Sequence, residues 1–263
     1  MEDFIKVTEF PGEEVPYEQL LRLCHRYYWA AQFCKDKDIV EVACGSGFGL
    51  SYLSNFARSI EAGDYSDEIV EIARGITGSQ INILQYDATN MPYEDSSKDV
   101  IIIFEAIYYL PKLDKFLNEC KRVLKSSGKL LIVTANKDLY DFNPSPFSYS
   151  YLGVLELSKS LKAFSFSTKF YGFIDTELVS LRQKILRPLK KIAVRLNLIP
   201  NTMDGKRFLK RLVFGKMVTV PGQLGDGTTS YEDPEEISPG SSDHRHKVIY
   251  CIAQLNGSEI IRS

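Results

Sequence analysis

No apolar run in the chain approaches the roughly 18 residues that a membrane-crossing helix needs, so nothing in it is expected to span a bilayer. The first residues also lack the basic start and apolar stretch of a secretory leader, carrying acids together with Pro11 and Pro16 instead. The five cysteines, Cys24, Cys34, Cys44, Cys120 and Cys251, are odd in number, widely spaced and never arranged as C-x-x-C. That argues against a disulfide framework or a zinc site and for a reducing compartment. Neither sign of charge dominates: 32 basic side chains stand against 34 acidic ones, so net charge names no partner. From these absences the chain is expected to be soluble and cytoplasmic. What is present is a chain of 263 residues, 44% hydrophobic, able to bury a sizeable core in one domain with an elaboration. Fifteen Tyr and fifteen Phe suit a cleft lined with rings.

The stretch from Ile39 to Gly49, IVEVACGSGFG, organises the rest. A β-branched run passes directly into glycines at 45, 47 and 49, the pattern of a buried strand followed by a tight turn that opens a helix. Without Cβ atoms the backbone reaches φ > 0 and comes close to a bound nucleoside, while amides at the helix start face the same crevice. Such a turn can equally be a plain strand-to-helix connection, so its neighbours decide.

Residues 1–16 read as an irregular arm and Gln223 to Glu236 as a mobile loop, while the neighbours of the turn alternate strand and helix. Tyr17 to Phe33 has helical spacing and carries the aromatic stripe His25-Arg26-Tyr27-Tyr28-Trp29; Tyr28 and Trp29 suit packing, Arg26 and Tyr27 contact with a ligand. Leu50 to Ala57 continues as a helix, Arg58 to Ala62 as a second strand, and Ser66 can cap a helix over Asp67–Arg74. Ile81 to Leu84, Asp99 to Phe104 and Leu130 to Thr134 read as further strands, with an amphipathic helix from Leu113 to Leu124 that Gly128 closes. This alternation predicts a parallel α/β sheet with helices on both faces, whose ligand sits beyond the carboxyl ends of the strands. Gly45, Asp64, Asp87, Glu105 and Ala135 all fall at such ends. Asp64, 17 residues after Gly47, can accept both hydroxyls of a ribose, and Asp87 can accept from an exocyclic amine.

Taken together, EVACGSGFG, Gly63-Asp64, Tyr86-Asp87-Ala88, Phe104-Glu105-Ala106 and the run CKRVLKSSGKLLI resemble the motifs of class I S-adenosylmethionine-dependent methyltransferases, with Ser127 where a glycine is usual. The resemblance covers about residues 20–175 and 245–255. A dinucleotide fingerprint would need glycine at position 50, which is Leu50. The resemblance implies a Rossmann-like, seven-stranded methyltransferase sheet flanked by helices, its last strand antiparallel, with a helical basic insertion between the sixth and seventh strands. It implies three regions: an N-terminal helical cap (1–35), a core that binds S-adenosyl-L-methionine (36–173 and 247–257), and an inserted lid that recognises substrate (174–246). The cofactor is expected against Tyr27, Arg26, Glu41, Ala43, Gly45, Gly47, Asp64, Tyr65, Asp87, Ala88 and Glu105. Glu41 would face its ammonium group, Asp64 its ribose, Asp87 and Ala88 its adenine, and Glu105 its methionine end.

The expected activity is methyl transfer to a small acceptor, as O-methylation of a sugar, a nucleotide-linked sugar or a related metabolite. Tyr108 is a candidate for holding that acceptor; His246 and His244, just before the final strand, are candidates for the general base. No metal is called for. From Arg182 to Lys216 eleven basic residues stand against Asp204 alone, a local net charge of +10 that leaves the remainder at −12. Such a block attracts phosphate, an anionic membrane surface or nucleic acid. The plain reading is a solvated basic face that balances an acidic core domain; a phosphorylated or nucleotide-linked acceptor is the second reading, and peripheral membrane contact or an RNA-modifying role the third. Nucleic acid is the weaker partner, since no appended RNA-binding domain and no N/D-P-P-Y/F sequence follow the fourth strand.

Overall fold

The computed structural model describes residues 4–145, 147–177 and 217–256. Among them, β2 (Asp38–Val42), β3 (Ser59–Asp64), β4 (Asn82–Gln85), β5 (Lys98–Phe104), β6 (Leu124–Ala135), β7 (Phe166–Asp175), β9 (Glu235–Ile237) and β10 (His246–Leu255) form one sheet. Its order is β4-β3-β2-β5-β6-β10-β7-β9. The pairings of β4, β3, β2, β5 and β6 are parallel, and β10 runs antiparallel between β6 and β7. The strand reversal lies between β2 and β5: the chain leaves β2 toward β3 and β4, then crosses back to β5. That is the switch point beyond which α/β sheets bind ligands.

The alternation along β5 explains why the sheet is covered on both faces. Ile101 and Ile103 join Val40, Val42 and Leu130 in a core closed by Phe116, Leu117 and Cys120 of α4 (Leu113–Val123) and by α5 (Val154–Ala163). Val100, Ile102 and Phe104 face the opposite way, where Leu23, Cys24, Tyr27 and Ala31 of α1 (Tyr17–Cys34) pack on them. Beyond the glycine turn lies the short α2 (Leu50–Ser54), and α3 (Asp67–Thr77) starts on the Ser66 hydroxyl, which accepts from the Ile69 amide. No helix among the described residues is long and apolar enough to cross a membrane.

Four local expectations change. The N-terminal arm, expected to be irregular, forms a 3-10 helix (Phe4–Val7) and then β1 (Glu14–Pro16), which pairs with β8 (Met217–Thr219) in a separate two-stranded sheet. The sheet has an eighth strand, β9, on the edge of β7; three residues reading Glu-Glu-Ile offer no alternation by which to find it. Helix α4 ends at Val123 without its glycine stop: β6 begins at once, and a bulge against β5 holds Ser127 at φ 64°. The segment expected to be a mobile loop is tied to α1. The Tyr28 hydroxyl donates to the Gly225 carbonyl, and His25 Nε2 donates to the Glu232 carbonyl while Nδ1 accepts from the Tyr250 hydroxyl. Burial lowers the His25 pKa to about 4, so it is a neutral strut. All of the basic stretch from Arg182 to Lys216, and most of the expected lid, lies outside the described residues.

Candidate active site

A cavity of about 780 Å³ opens at the carboxyl ends of β2, β3 and β5. The glycine turn makes room for it in three different ways. Gly45, at φ 56°, lines the cavity itself, and a Cβ there would touch Thr8 at 3.4 Å. Gly47, at φ 72°, instead faces α3 and packs against Ala73 and Thr77, so it shapes the turn without reaching the space. Gly49 lets the Tyr27 ring lie on the backbone, where a Cβ would sit 2.2 Å from a ring carbon. Ala43 and Glu105, the residues that directly follow β2 and β5, are both held at positive φ, 54° and 50°. Left-handed backbone at a non-glycine residue is costly and gathers at functional sites.

One half of the cavity is acidic. Glu41 is 2% exposed; its Oε1 accepts from the Tyr27 hydroxyl at 2.9 Å, and its Oε2 is buried with no hydrogen-bond partner among the described residues. Burial pushes its pKa up to about 7. Asp64 takes the Gly45 amide on Oδ2 and the Ser66 amide on Oδ1, both at 3.1 Å, and burial raises its pKa against these amides. Beyond it lie exposed Tyr65, Asp87, which closes its own turn on the Thr89 amide, and buried Ala88. Gly63 admits the Tyr86 ring beside this wall, since a Cβ would fall 2.0 Å from Tyr86 Cε1 and 2.6 Å from the Leu84 carbonyl oxygen. Replacing Gly63 with Ala is therefore expected to destabilise the fold by about 1–3 kcal/mol, the usual cost of overpacking, read as a lower urea midpoint at unchanged slope.

The other half is aromatic. Phe4, Val7, Tyr108, Tyr109, Leu110, Pro111 and Tyr149 surround it. Its charges are paired. Glu105 takes Arg22 Nη2 on Oε1 at 2.9 Å and the Tyr108 hydroxyl on Oε2 at 3.2 Å. Arg26 reaches Glu9 at 3.2 Å, with its guanidinium 5.5 Å from the Tyr27 ring centroid, and Lys247 holds Glu18 at 2.6 Å.

Eleven of the residues expected at the site thus meet around one space: Arg26, Tyr27, Glu41, Ala43, Gly45, Asp64, Tyr65, Asp87, Ala88, Glu105 and Tyr108. The two histidines expected as candidates for the general base do not line it. Because β10 enters between β6 and β7, its first residue lies three strands from β2 and pairs with Asp175. His246 there is gripped by Asp243 at 3.0 Å and Glu235 at 3.3 Å, which raise its pKa, and His244 Nδ1 bonds the Asp138 carbonyl. Residues that the sequence did not suggest are Phe4, Val7, Glu9 and Arg22. Arg22 was findable, four residues before Arg26 on the same helix face; the arm carries no local signal for what it folds against.

Comparison with known proteins bears on this geometry. Residues 40–132 match the family model described as "Methyltransferase domain", which spans the glycine turn, Asp64, Asp87 and Glu105. Over those residues the chain is similar to the methyltransferase family. A "Probable S-adenosylmethionine-dependent methyltransferase" of Mycobacterium tuberculosis H37Rv is 31% identical to the chain over 159 residues, 59% of this chain and 55% of that one. A fatty-acid O-methyltransferase of Mycolicibacterium smegmatis is 33% identical over 105 residues, 38% of this chain and 37% of that one. The chain spans between 55% and 60% of the first curated relatives it matches. Among solved structures, an S-adenosylmethionine-dependent methyltransferase from Archaeoglobus fulgidus superposes with a TM-score of 0.57 at 17% identity, over 90% of this chain and 93% of that one. The cyclase SpnF gives 0.56 at 14% identity, over 90% and 82%. The fold is thus shared with a cyclase, and the chemistry has to be argued from the site.

The site fits the family's cofactor. The unpartnered, buried Glu41 Oε2 suits an ammonium group, the Asp64 carboxylate suits ribose hydroxyls, and Gly45 permits close approach of the backbone.

Proposed function

We propose that this protein transfers a methyl group from S-adenosyl-L-methionine to a hydroxyl of an uncharged acceptor whose body lies against rings. The observation that carries this reading is the division of the cavity. The carboxylates of Glu41, Asp64 and Asp87 line one half, and none of them holds a cationic side chain in an ion pair among the described residues, which favours a cationic cofactor. In the other half each carboxylate has a cationic partner, so among the described residues no uncompensated positive charge is left there to recruit phosphate. The phosphorylated or nucleotide-linked acceptor inferred from the basic stretch therefore has no support among the described residues. A sugar or other metabolite that presents a hydroxyl and an apolar face remains compatible with the aromatic wall.

The sulfonium supplies an electrophilic methyl carbon, whose bond to sulfur breaks as the acceptor oxygen attacks. The protein's part is alignment and removal of one proton. Glu105 is the group placed for the latter. Its backbone is fixed in the left-handed region by the 2.7 Å bond from its amide to the Val133 carbonyl, and its carboxylate is held from both sides by Arg22 and Tyr108. Replacing Glu105 with Gln should lower kcat by about 10²-fold while S-adenosylhomocysteine affinity changes by less than about tenfold. The reverse pattern, weak cofactor binding with near-normal kcat, would leave Glu105 the cofactor-holding residue that its position in the family motif implies. Methyl transfer from labelled S-adenosylmethionine to a panel of uncharged alcohols tests the whole reading, and it fails if only phosphorylated acceptors are labelled. On this reading the insertion between β7 and β10 is proposed as a lid, and the chain as a whole acts where its cofactor is made, in the cytoplasm.

A further inference from the structure

A shallow groove adjoins the aromatic half of the cavity. Phe142, Pro144, Tyr149 and Tyr151 form its apolar lining, and Tyr149 lines both spaces. The rings are continuous between the two. Phe4 meets Tyr109 edge-on at 5.6 Å, Tyr109 meets Tyr108 at 4.6 Å, Tyr108 stacks on Tyr151 at 4.1 Å, and Tyr151 meets Phe142 at 4.7 Å. A ladder of side chains thus runs from the floor beside Glu105 out to the surface.

The polar groups along the groove are committed to one another. Ser145 shares its hydroxyl with Tyr109 at 2.7 Å, its amide donates to the Tyr151 hydroxyl, and Ser148 donates to the Ser145 carbonyl. Lys137 is paired with Asp138 at 3.0 Å and Glu156 at 2.8 Å. What the groove offers a ligand is ring faces and a proline, with its charge neutralised. That chemistry suits methylene groups and rejects a phosphate or a carboxylate, whose desolvation nothing here would offset.

We propose that the acceptor is an amphiphile: its hydroxyl enters the cavity beside Glu105, and its alkyl chain leaves over Tyr149 and lies in the groove between Phe142 and Tyr151. This rests on the methyl-transfer reading above and adds the class of acceptor to it.

The test uses the full chain saturated with S-adenosylhomocysteine and titrates linear primary alcohols from butanol to dodecanol by calorimetry, which needs no turnover. Affinity should rise several-fold for each pair of methylenes until the groove is filled, then level off. Phe142→Ser should cut the affinity for dodecanol about tenfold or more, flatten the chain-length dependence and leave the S-adenosylhomocysteine affinity unchanged. Tyr149→Ser, at a side chain already 56% exposed, should act in the same direction and guards against a folding defect in the first variant. Flat affinity across the series in the wild type overturns the proposal, as does a steep dependence that both variants keep. Failure of the methyl-transfer reading looks different: the alcohols bind with this dependence, yet none is labelled by S-adenosylmethionine.

Discussion

Replacing Asp64 with Ala is expected to weaken S-adenosylhomocysteine binding by about 10²-fold, measured by isothermal titration calorimetry. The size follows from what the carboxylate does. Each oxygen takes a backbone amide, Gly45 on one side and Ser66 on the other, and so fixes the glycine turn and the start of α3 relative to each other. Hydrogen bonds to a charged group contribute about 1.5–3 kcal/mol each, and about 2.7 kcal/mol corresponds to a factor of 10² in affinity. In the proposed complex the same carboxylate also meets the ribose, so the variant loses both the preformed turn and the contact. Asp64→Asn keeps the shape but brings an NH₂ group to face one of the two amides, and about tenfold weaker binding is expected. An Asp64→Ala protein that binds as tightly as wild type would remove the second strand from the cofactor site.

The parts of the molecule that were legible in the sequence are those where local chemistry and global position agree. The Val100–Phe104 run of β5 is apolar at every turn of the pleat because helices cover both faces, and its pattern alone identifies it. Gly49 and Gly63 each answer to a clash that a Cβ would create, with Tyr27 and Tyr86 respectively, while Gly45 answers to its positive φ, so the motif glycines record packing as well as turn geometry. Illegible were the features made by long-range contact. Glu9 meets Arg26, and Phe4 meets Tyr109 and Phe147, only once the arm folds back over the sheet. The order of strands near the antiparallel insertion likewise decides that a histidine at a strand end faces Asp243 and Glu235 instead of the cavity. The basic stretch drew the acceptor argument toward phosphate because composition is visible without structure; the paired guanidiniums of Arg22 and Arg26 in the cavity give the opposite indication.

Raising the pH through about 7 should tighten cofactor binding and, separately, lower the stability of the free protein, and Glu41 is the cause of both. Its carboxyl is buried beside Tyr27 with one oxygen lacking a partner, and burial lifts its folded pKa from 4.5 to about 7. The charged groups that face it are Arg26 of α1, which favours ionisation, and Asp64 of β3, which opposes it. A folded pKa above the unfolded one means that the native state holds the proton more tightly. The stability gained is therefore fully present below about pH 4.5 and is lost progressively as the pH rises through about 7, amounting to about 3 kcal/mol at about 1.4 kcal/mol per unit. Under the proposed assignment of Glu41 to the cofactor's ammonium group, the bound state requires the ionised form, so binding at pH 6 releases a proton that binding at pH 8 does not. Affinity should then rise up to about tenfold per pH unit below 7 and level off above it. Calorimetry in two buffers of different ionisation enthalpy reads that proton directly. In Glu41→Gln, which keeps the hydrogen bond from Tyr27 but cannot ionise, the proton release and the pH dependence should both vanish, with affinity at pH 8 lowered about tenfold or more. A Gln variant that keeps the wild-type pH profile would assign the titration to another group and free Glu41 from the ammonium role.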